Sequence, residues 1–529
     1  MSENQKYILV IDSGGTGIRA MLFNKEGAIV DREYEKTLPN FPEDGAIEHD
    51  PEVLWQALLS VVRKVFAKPE YSPKQIVSIG ITNQRASFCI VDKKTGTPIT
   101  NLISWADVRA EKVAKRMDNQ FSWRTLRSIV RVLGKITGSA MMNTTGMIHL
   151  NPEFALCRLR WLFEREKIIY QDSELSGEEI YNKAKNRELH FCTLESWFIY
   201  KLTGGTKHVT DITNASGTAL YNPFDLEWNK IYAKLFKIPS NDTFLPRVLD
   251  NTDDFGKTAP ELFEGAEIPI GASIGDQMAA LFGHCCFKPG ETKISQGSGA
   301  FVDMCIGPKP KLSKRGLFPL ISWRIKGEIN YMLEGQIMTA GTLIDWLGEG
   351  IGLVDTPKVL NEFAAQTEDT EGVIVIPTPS GIAFPYFNPK TRATIFGLSL
   401  STHRKHVCRA VLEGLAFRLY DIIGGIEHDT KIPITTLKVD GGVSQSDIEL
   451  QSLADIANIT VQRAPEADMT GTGAAYMAGL AVGFWKDINE ILNLRKNYQI
   501  FKPKMDPEKR KKKLSDWKKA VKAVLSLDE

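Results

Sequence analysis

Apolar and polar positions along the chain fall into blocks with the periods of strands and helices. Tyr7–Ile11 is an apolar, β-branched run that ends at Asp12 and breaks into the turn Ser-Gly-Gly-Thr-Gly. Ile18–Phe23 and Ala28–Tyr34 follow on either side of Lys-Glu-Gly, so the opening reads as a β-meander whose first tight turn carries Gly14, Gly15 and Gly17. Asp50 has the residue type of an N-cap and Pro51 suits a first helical turn, which predicts a helix over Val53–Phe66. Ile76–Ile81 predicts a further strand, running into Thr-Asn-Gln-Arg-Ala-Ser.

The second half repeats the plan. Thr292–Ile294 leads through Gln-Gly-Ser-Gly to Phe301–Ile306, and Thr436–Val439 enters Asp-Gly-Gly before a helical stretch at Ile448–Ala457. Two copies of strand, glycine turn and strand predict a duplicated α/β fold with the active site between the copies. The boundary is placed at Gly283–Gly290, where Pro and Gly interrupt the pattern, dividing the chain into 1–283 and 284–529. Ala474–Trp485 is a small-residue apolar run of 12 residues, short of the ~20 that span a bilayer, and reads as a buried helix. Near the C-terminus Leu514, Trp517, Val521 and Val524 form a helical stripe among lysines, which predicts a terminal helix that docks its apolar face.

Composition narrows the class. A chain of 529 residues is too long for one core, and a formal net charge of +1 offers no overall footprint for nucleic acid or an anionic membrane. Small-molecule chemistry is the expectation that follows. The N-terminus lacks a basic segment followed by an apolar one, so no signal peptide is expected. Seven cysteines without a C-x-x-C pairing fit a reducing, cytoplasmic compartment, and the eight histidines show no metal-ligand spacing.

The candidate chemistry lies at the turns. Glycine lets backbone N–H groups approach phosphate oxygens, so the turns at Gly14–Gly15, Gly297–Gly299 and Gly441–Gly442 are candidate phosphate cradles. Asp12 reads either as a ligand to the Mg²⁺ that accompanies a nucleotide or as an Asx-turn acid. Asp276 follows an apolar run and precedes a small-residue helix start, with Gln277 beside it. An acid at the C-terminal end of a strand suits general-base work in phosphoryl transfer to a hydroxyl, although an N-cap explains the same residue. Arg85, Trp105 and Asp107 lie after separate β-like runs and are candidates for a polar pocket.

The ordered segments DSGGTGIRA, GAIEHDPEVLW, GITNQRA, ISWADVR, HVTDITNASGT, GDQMAALFG, GSGAF, VDGGV and GTGAAYMAGLAVGFW resemble the FGGY family of carbohydrate kinases, and EHDP, ITNQR and AGLAVGFW resemble its glycerol kinase branch. The resemblance runs collinearly from Tyr7 to Leu525. It implies two actin-like ATPase (ribonuclease-H-like) domains with a cleft between them, ATP with Mg²⁺, and a small polyol or sugar as acceptor; it also suggests a homodimer. By the same resemblance Asp12 is the metal-associated acid, Gly14, Gly15, Thr16 and Arg19 belong to a phosphate loop, and Gly297, Ser298, Gly299, Gly441, Gly442 and Ser446 lie on the nucleotide side. Asp276 is then the catalytic base, and Arg85, Trp105, Gln277 and Phe301 line the acceptor pocket.

The chain departs from the family in four places, one of them Ser298, which stands where glycerol kinases carry Thr and keeps the hydroxyl. Ala86 stands where glycerol kinases carry Glu after the Gln-Arg pair, Glu153 stands in place of an aromatic residue, and Ser446 replaces an Asn. Losing a carboxylate that accepts from a buried hydroxyl typically costs ~1–3 kcal/mol. The expectation is therefore that Asp107 or Glu153 returns an acid to the pocket, with a surface Asp107–Arg109 pair as the competing reading.

Overall fold

The computed structural model describes residues 5–311, 313, 315–494 and 497–527. They form two compact units: Met1–Gly283 with Leu320–Asn330 and Thr470–Arg495, and His284–Pro319 with Tyr331–Met469 and Lys496–Glu529.

The first unit is built on a five-stranded sheet in the order Ile270–Gly275, Ile76–Asn83, Tyr7–Ser13, Gly17–Phe23, Ile29–Lys36. The last three form the expected antiparallel meander, and the first three run parallel. In register, Ser13 lies opposite Asn83 and Asn83 opposite Gly275, so the segments leading to Gly14, Arg85 and Asp276 all leave the same edge of the sheet. The parallel strands are buried along nearly their whole length, which is why they read as unbroken apolar runs while Ile29–Lys36 alternates.

The helix expected at Val53–Phe66 begins at Pro51. Asp50 caps it by accepting the Glu52 N–H at 2.8 Å, and its apolar face, from Leu54 to Val65, packs on the sheet core. A four-stranded sheet, in the order Leu189–Thr193, Phe88–Asp92, Leu102–Ile103, Glu48–His49, supports a second core of this unit around Trp123, Trp161 and Phe191.

The second unit repeats the same device. Its sheet includes, in hydrogen-bonded order, Glu328–Ile337, Ala300–Gly307, Thr292–Gln296, Thr436–Asp440, Thr460–Arg463 and Gln499–Phe501. Thr292–Gln296 is antiparallel to Ala300–Gly307 across the Gly297–Gly299 turn and parallel to Thr436–Asp440, whose end enters Gly441–Gly442. The duplication read from the turns is thus a duplication of sheet topology.

The terminal helix, Pro507–Ser526, docks as expected. Trp517 is buried and stacks on Phe417 at 4.9 Å with a 6° interplanar angle, while Lys509 and Lys513 pair with Asp369 and Glu413. All seven cysteines are buried free thiols. Among the described residues, no helix is long and apolar enough to cross a membrane.

The small-residue run of the first unit is the helix Met469–Ala481, and its glycine spacing explains its composition. A Cβ on Gly473 would stand 1.8 Å from the Ala279 carbonyl oxygen, and one on Gly80 would stand 2.6 Å from that of Ala474. The helix therefore touches both the strand Ile76–Asn83 and the Asp276–Gly283 helix backbone to backbone. Gly473→Ala is expected to force these apart and to destabilise the protein by about 1–3 kcal/mol. A urea midpoint measured on the variant checks this; an unchanged midpoint would refute the close packing.

Candidate active site

The C-terminal edge of the first sheet is held by a buried carboxylate. Asp211 ends the short strand Val209–Asp211 and caps the helix Ile212–Gly217. It accepts from the Thr213 and Asn214 N–H groups at 2.8 and 3.1 Å, Thr213 Oγ1 at 2.5 Å, Asn214 Nδ2 at 2.6 Å, Asn251 Nδ2 at 3.0 Å and Ser273 Oγ at 2.9 Å. Ser273 lies on the strand that delivers Asp276, and Thr213 Oγ1 accepts the Gly275 N–H at 2.9 Å. Asn214 exchanges hydrogen bonds of 3.1 Å with Asn83, two residues before Arg85. One anion thereby sets three chain segments in register.

Arg85 leaves this edge with its stem against two glycines. A Cβ on Gly275 would meet Arg85 Cγ at 2.8 Å, and one on Gly217 would meet its Cβ at 3.4 Å. Arg85 Nε lies 3.4 Å from Asp276 Oδ1. Asp276 is part of the helix Asp276–Gly283, and its Oδ1 accepts the Gln277 N–H at 2.8 Å, so the acid makes a local cap contact while about a third of its side chain stays open. Gln277 is buried beside it.

A second buried ion organises the neighbouring loops. The guanidinium of Arg158, fully buried in the helix Ala155–Leu162, donates all five of its N–H groups to backbone carbonyls. These are Pro152 at 3.0 Å, Ile103 at 3.1 Å, Ser104 at 2.6 Å, Ala86 at 2.8 Å and Glu153 at 2.9 Å. Burial pulls its pKa down to about 10. The clamp fixes the segments carrying Ala86, Trp105 and Glu153 together. Trp105 is half-buried, with its N–H on Ser87 Oγ at 3.1 Å, and Glu153 is half-buried on the turn before the clamp's own helix.

Asp107 does not provide the expected acceptor. It is completely buried: Oδ1 accepts the Arg109 N–H at 3.0 Å and Nε at 3.2 Å, and Oδ2 accepts the Ile47 N–H at 3.0 Å and Arg109 Nη2 at 2.7 Å. The partner of the competing reading is right, but the pair is interior rather than on the surface. Its carboxylate is consumed in holding the loop.

At the first glycine turn Asp12 is buried and pairs with Arg19 Nη1 at 3.3 Å, while Gly15 and Thr16 are exposed. Gln84, also buried, has both amide atoms without a partner among the described residues, as does the Ser13 hydroxyl. Gln84 Oε1 stands 3.4 Å from where a Cβ on Gly15 would be, so an unsatisfied amide looks onto the turn.

In the second unit, the Gly297–Gly299 turn is latched to 340–342. Ala340 N–H donates to Ser298 O at 2.7 Å and Gly341 N–H to Gly297 O at 2.9 Å, while the space a Cβ on Gly297 would take is open. Gly441 has φ +99° and lies so close to Gln296 that a Cβ would come within 2.3 Å of its carbonyl oxygen. Gly442 is exposed and open. Beneath both turns Lys293 and Asp303 form a fully buried 2.6 Å ion pair, and Lys293 donates to Ser295 Oγ, which donates to Asp440 at 2.6 Å. Burial raises the Asp440 pKa, but His284, Lys293 and Ser295 together outweigh it and hold the carboxyl below its usual range. Phe301 is half-buried on the strand Ala300–Gly307. The Ser446 hydroxyl is already engaged, capping the helix Asp447–Ala457 through the Glu449 N–H and donating to Asn361.

Asp211, Glu195, Asn251, Arg158 and Gln84 carry no signal in composition or periodicity. The motif HVTDITNASGT marks Asp211 and Asn214 only through the resemblance. Glu195 extends the Asp211 network, accepting from Thr193 and Thr210 Oγ1 at 2.5 Å each and from Asn83 at 3.3 Å. Burial and the nearby Asp211 push its pKa up to about 8. The folded protein then holds a proton there that the unfolded chain releases near pH 4.5, so this group lowers stability as pH rises from about 5 to 8. Glu195→Gln should remove that share: its thermal midpoint relative to the parent should rise between pH 5 and pH 8. A constant difference across that window would show that Glu195 is not held protonated.

The FGGY family of carbohydrate kinases matches the chain twice, its N-terminal domain over residues 7–283 and its C-terminal domain over residues 292–482. The chain is 38% identical to a glycerol kinase of Staphylococcus epidermidis over 520 residues and 36% identical to one of Halothermothrix orenii over 523 residues, covering 98% and 99% of both partners respectively. A Plasmodium falciparum glycerol kinase solved with ADP superposes with a TM-score of 0.86 at 31% identity over 98% of each chain. A xylulose kinase of Lactobacillus acidophilus, at TM-score 0.81, 22% identity and coverage of 99% and 98%, shares the fold. By its full-length match in both halves, the chain belongs to the FGGY family of carbohydrate kinases.

Proposed function

We propose that this chain is an ATP-dependent kinase that phosphorylates a primary hydroxyl of glycerol. The observation that carries the reading is the common sheet edge from which Asp12, Arg85 and Asp276 emerge, in a chain 38% identical throughout to a glycerol kinase. In this reading Asp276 takes the proton of the acceptor hydroxyl as its oxygen bonds to the transferred phosphorus and ADP departs with the electrons of the broken P–O bond. Arg85 and Gln277 orient the acceptor, Trp105 offers it an apolar face, and Glu153 is the acid left to approach it.

The glycine turns suit nucleotide phosphates: Gly297 and Gly442 have open faces onto which a phosphate fits, and Arg19 adds a cation beside the Gly14–Gly15–Thr16 turn. Asp12, Ser13 and Gln84 form a set of oxygen and amide donors that fits hydrated Mg²⁺, which keeps most of its waters and takes one or two carboxylates. When bound, the ion neutralises charge on the phosphates. Ser446 enters through its backbone and helix cap rather than through a side-chain contact to the nucleoside.

A second acceptor class is favoured by Ala86, which brings no carboxylate, and by Asp107, which is engaged elsewhere. The test is ADP release measured with glycerol, dihydroxyacetone, erythritol, xylulose and ribulose. Glycerol should support turnover, and Asp276→Asn should lower kcat by roughly 10²–10⁴-fold; turnover that survives the substitution refutes the assigned base. Ala86→Glu should lower KM for glycerol by roughly one to two orders of magnitude, the reverse of the ~1–3 kcal/mol lost with such an acceptor. An unchanged KM would place the acceptor hydroxyls away from residue 86.

A further inference from the structure

The helix Phe121–Thr137 has an outer face that nothing described in the chain covers. Its inner face is anchored: Trp123 is buried edge-on to Tyr232 and Phe236 at 5.2 and 5.7 Å, and its Nε1 donates to Asp118 at 3.2 Å. The helix turns at Gly138, in the left-handed region, into the helix Ala140–Met147. The two are clasped through Asn143 Nδ2, which donates to the Gly134 and Ser139 carbonyls at 2.9 Å each. The scaffold of this hairpin is therefore rigid and independent of what its outer side chains do.

On the outer side, Phe121, Ile129, Val132, Leu133 and Ile136 are exposed by between 41% at Leu133 and 84% at Phe121. At 100° per residue they share an arc of about 120°, and they run about 22 Å along the axis. Arg124, Arg131 and Lys135 occupy an arc of about 40° at one flank of that stripe. All three are exposed and lack an ion-pair partner among the described residues, whereas Arg127, on the inner side, is neutralised by Asp118 at 2.7 Å. No Asp or Glu occurs between Asp118 and Glu153. A protein with a formal net charge of +1 thus concentrates unanswered cations beside its long exposed apolar stripe.

We infer that this face is a docking surface for an anionic lipid bilayer, with the helix lying in the plane of the interface. A bilayer surface supplies both things the face lacks, an apolar layer for Phe121 and the aliphatic side chains and negative headgroups for the flanking cations. The stripe is a convex ridge on one helix, which suits a deformable surface. A second copy of the chain fits poorly, because the same face brings the same cations and no acid to meet them.

The test is co-sedimentation of the full chain with phosphatidylcholine vesicles and with phosphatidylcholine–phosphatidylserine vesicles, at low and high salt. Binding is expected to the mixed vesicles, weakened by salt and by omission of phosphatidylserine. The triple variant Arg124→Glu, Arg131→Glu, Lys135→Glu should lose affinity by roughly a hundredfold, about fivefold or more per cation. The pair Ile129→Ser, Ile136→Ser should weaken binding while leaving the thermal midpoint and ADP release unchanged, since both side chains point outward. Absence of binding to mixed vesicles at low salt, or equal binding by the variants, overturns the proposal. So does a concentration-dependent dimer in sedimentation velocity that the Ile pair abolishes without any vesicle binding.

Discussion

The arrangement of the first unit's candidate site depends on one buried carboxylate. Asp211 gathers six hydrogen-bond donors from the helix it caps, from Asn251 and from the strand that carries Asp276. A buried charge is tolerated only when so satisfied, and breaking such a network costs about 3–5 kcal/mol. The geometry of Arg85 against Asp276 is a consequence: Asn83 is pinned through Asn214, and Gly275 through Thr213. Arg158 does the complementary task with opposite charge, collecting five carbonyls where Asp211 collects donors. Arg158 acts on backbone alone, whereas Asp211 gathers two backbone N–H groups and four side-chain donors, and together they set the paths of the loops around the site.

The second unit uses the same topology with different reinforcement. Where the first unit meets its glycine turn with Asp12 and Arg19, the second sets a fully buried Lys293–Asp303 pair under its hairpin and joins it through Ser295 to Asp440. Asp440 also accepts the Met469 N–H at 3.0 Å. It therefore ties the strand before Gly441 to the backbone at Met469, within the second unit. In each unit a parallel strand beside the hairpin ends next to the glycine turn. The repeat is a repeat of backbone, and the buried charges that stiffen it are particular to each copy.

This difference explains what the sequence reveals. The parallel strands were legible because burial on both faces makes them unbroken apolar runs, and the first helix because Asp50 and Pro51 obey local rules of capping. The terminal stripe through Trp517 was legible for the same reason: an apolar face that is buried has the helical period. Polar interiors carry no such mark. Asp211, Arg158 and Glu195 look like any surface residue in a linear reading, since their partners lie as far as 112 residues away in the case of Asn83 and Glu195. Asp107 was misplaced for that reason, its spacing to Arg109 being equally compatible with a surface pair. Net charge concealed the hairpin at 121–147, because the average over the chain cancels a local excess of cations.

Ala86 and Arg85 are neighbours in sequence but are held by separate devices. It adopts φ 63°, in the left-handed region that a side chain normally avoids, and its carbonyl is held by Arg158. That conformation is imposed by the tight exit from the strand Ile76–Asn83 toward Phe88–Asp92, and by the clamp, rather than by the side chain itself. The strain of a Cβ at positive φ is already present with Ala, so a longer side chain at this position adds reach without requiring a new backbone path. Arg85, by contrast, is confined between Gly217 and Gly275 and is the neighbour of Asp276. Adjacent residues thus answer to different constraints, Arg85 to the two glycines and Asp276 at the sheet edge, Ala86 to the Arg158 clamp. Under the proposed kinase reading, the first would serve the base and the second would leave the choice of hydroxyl free to shift.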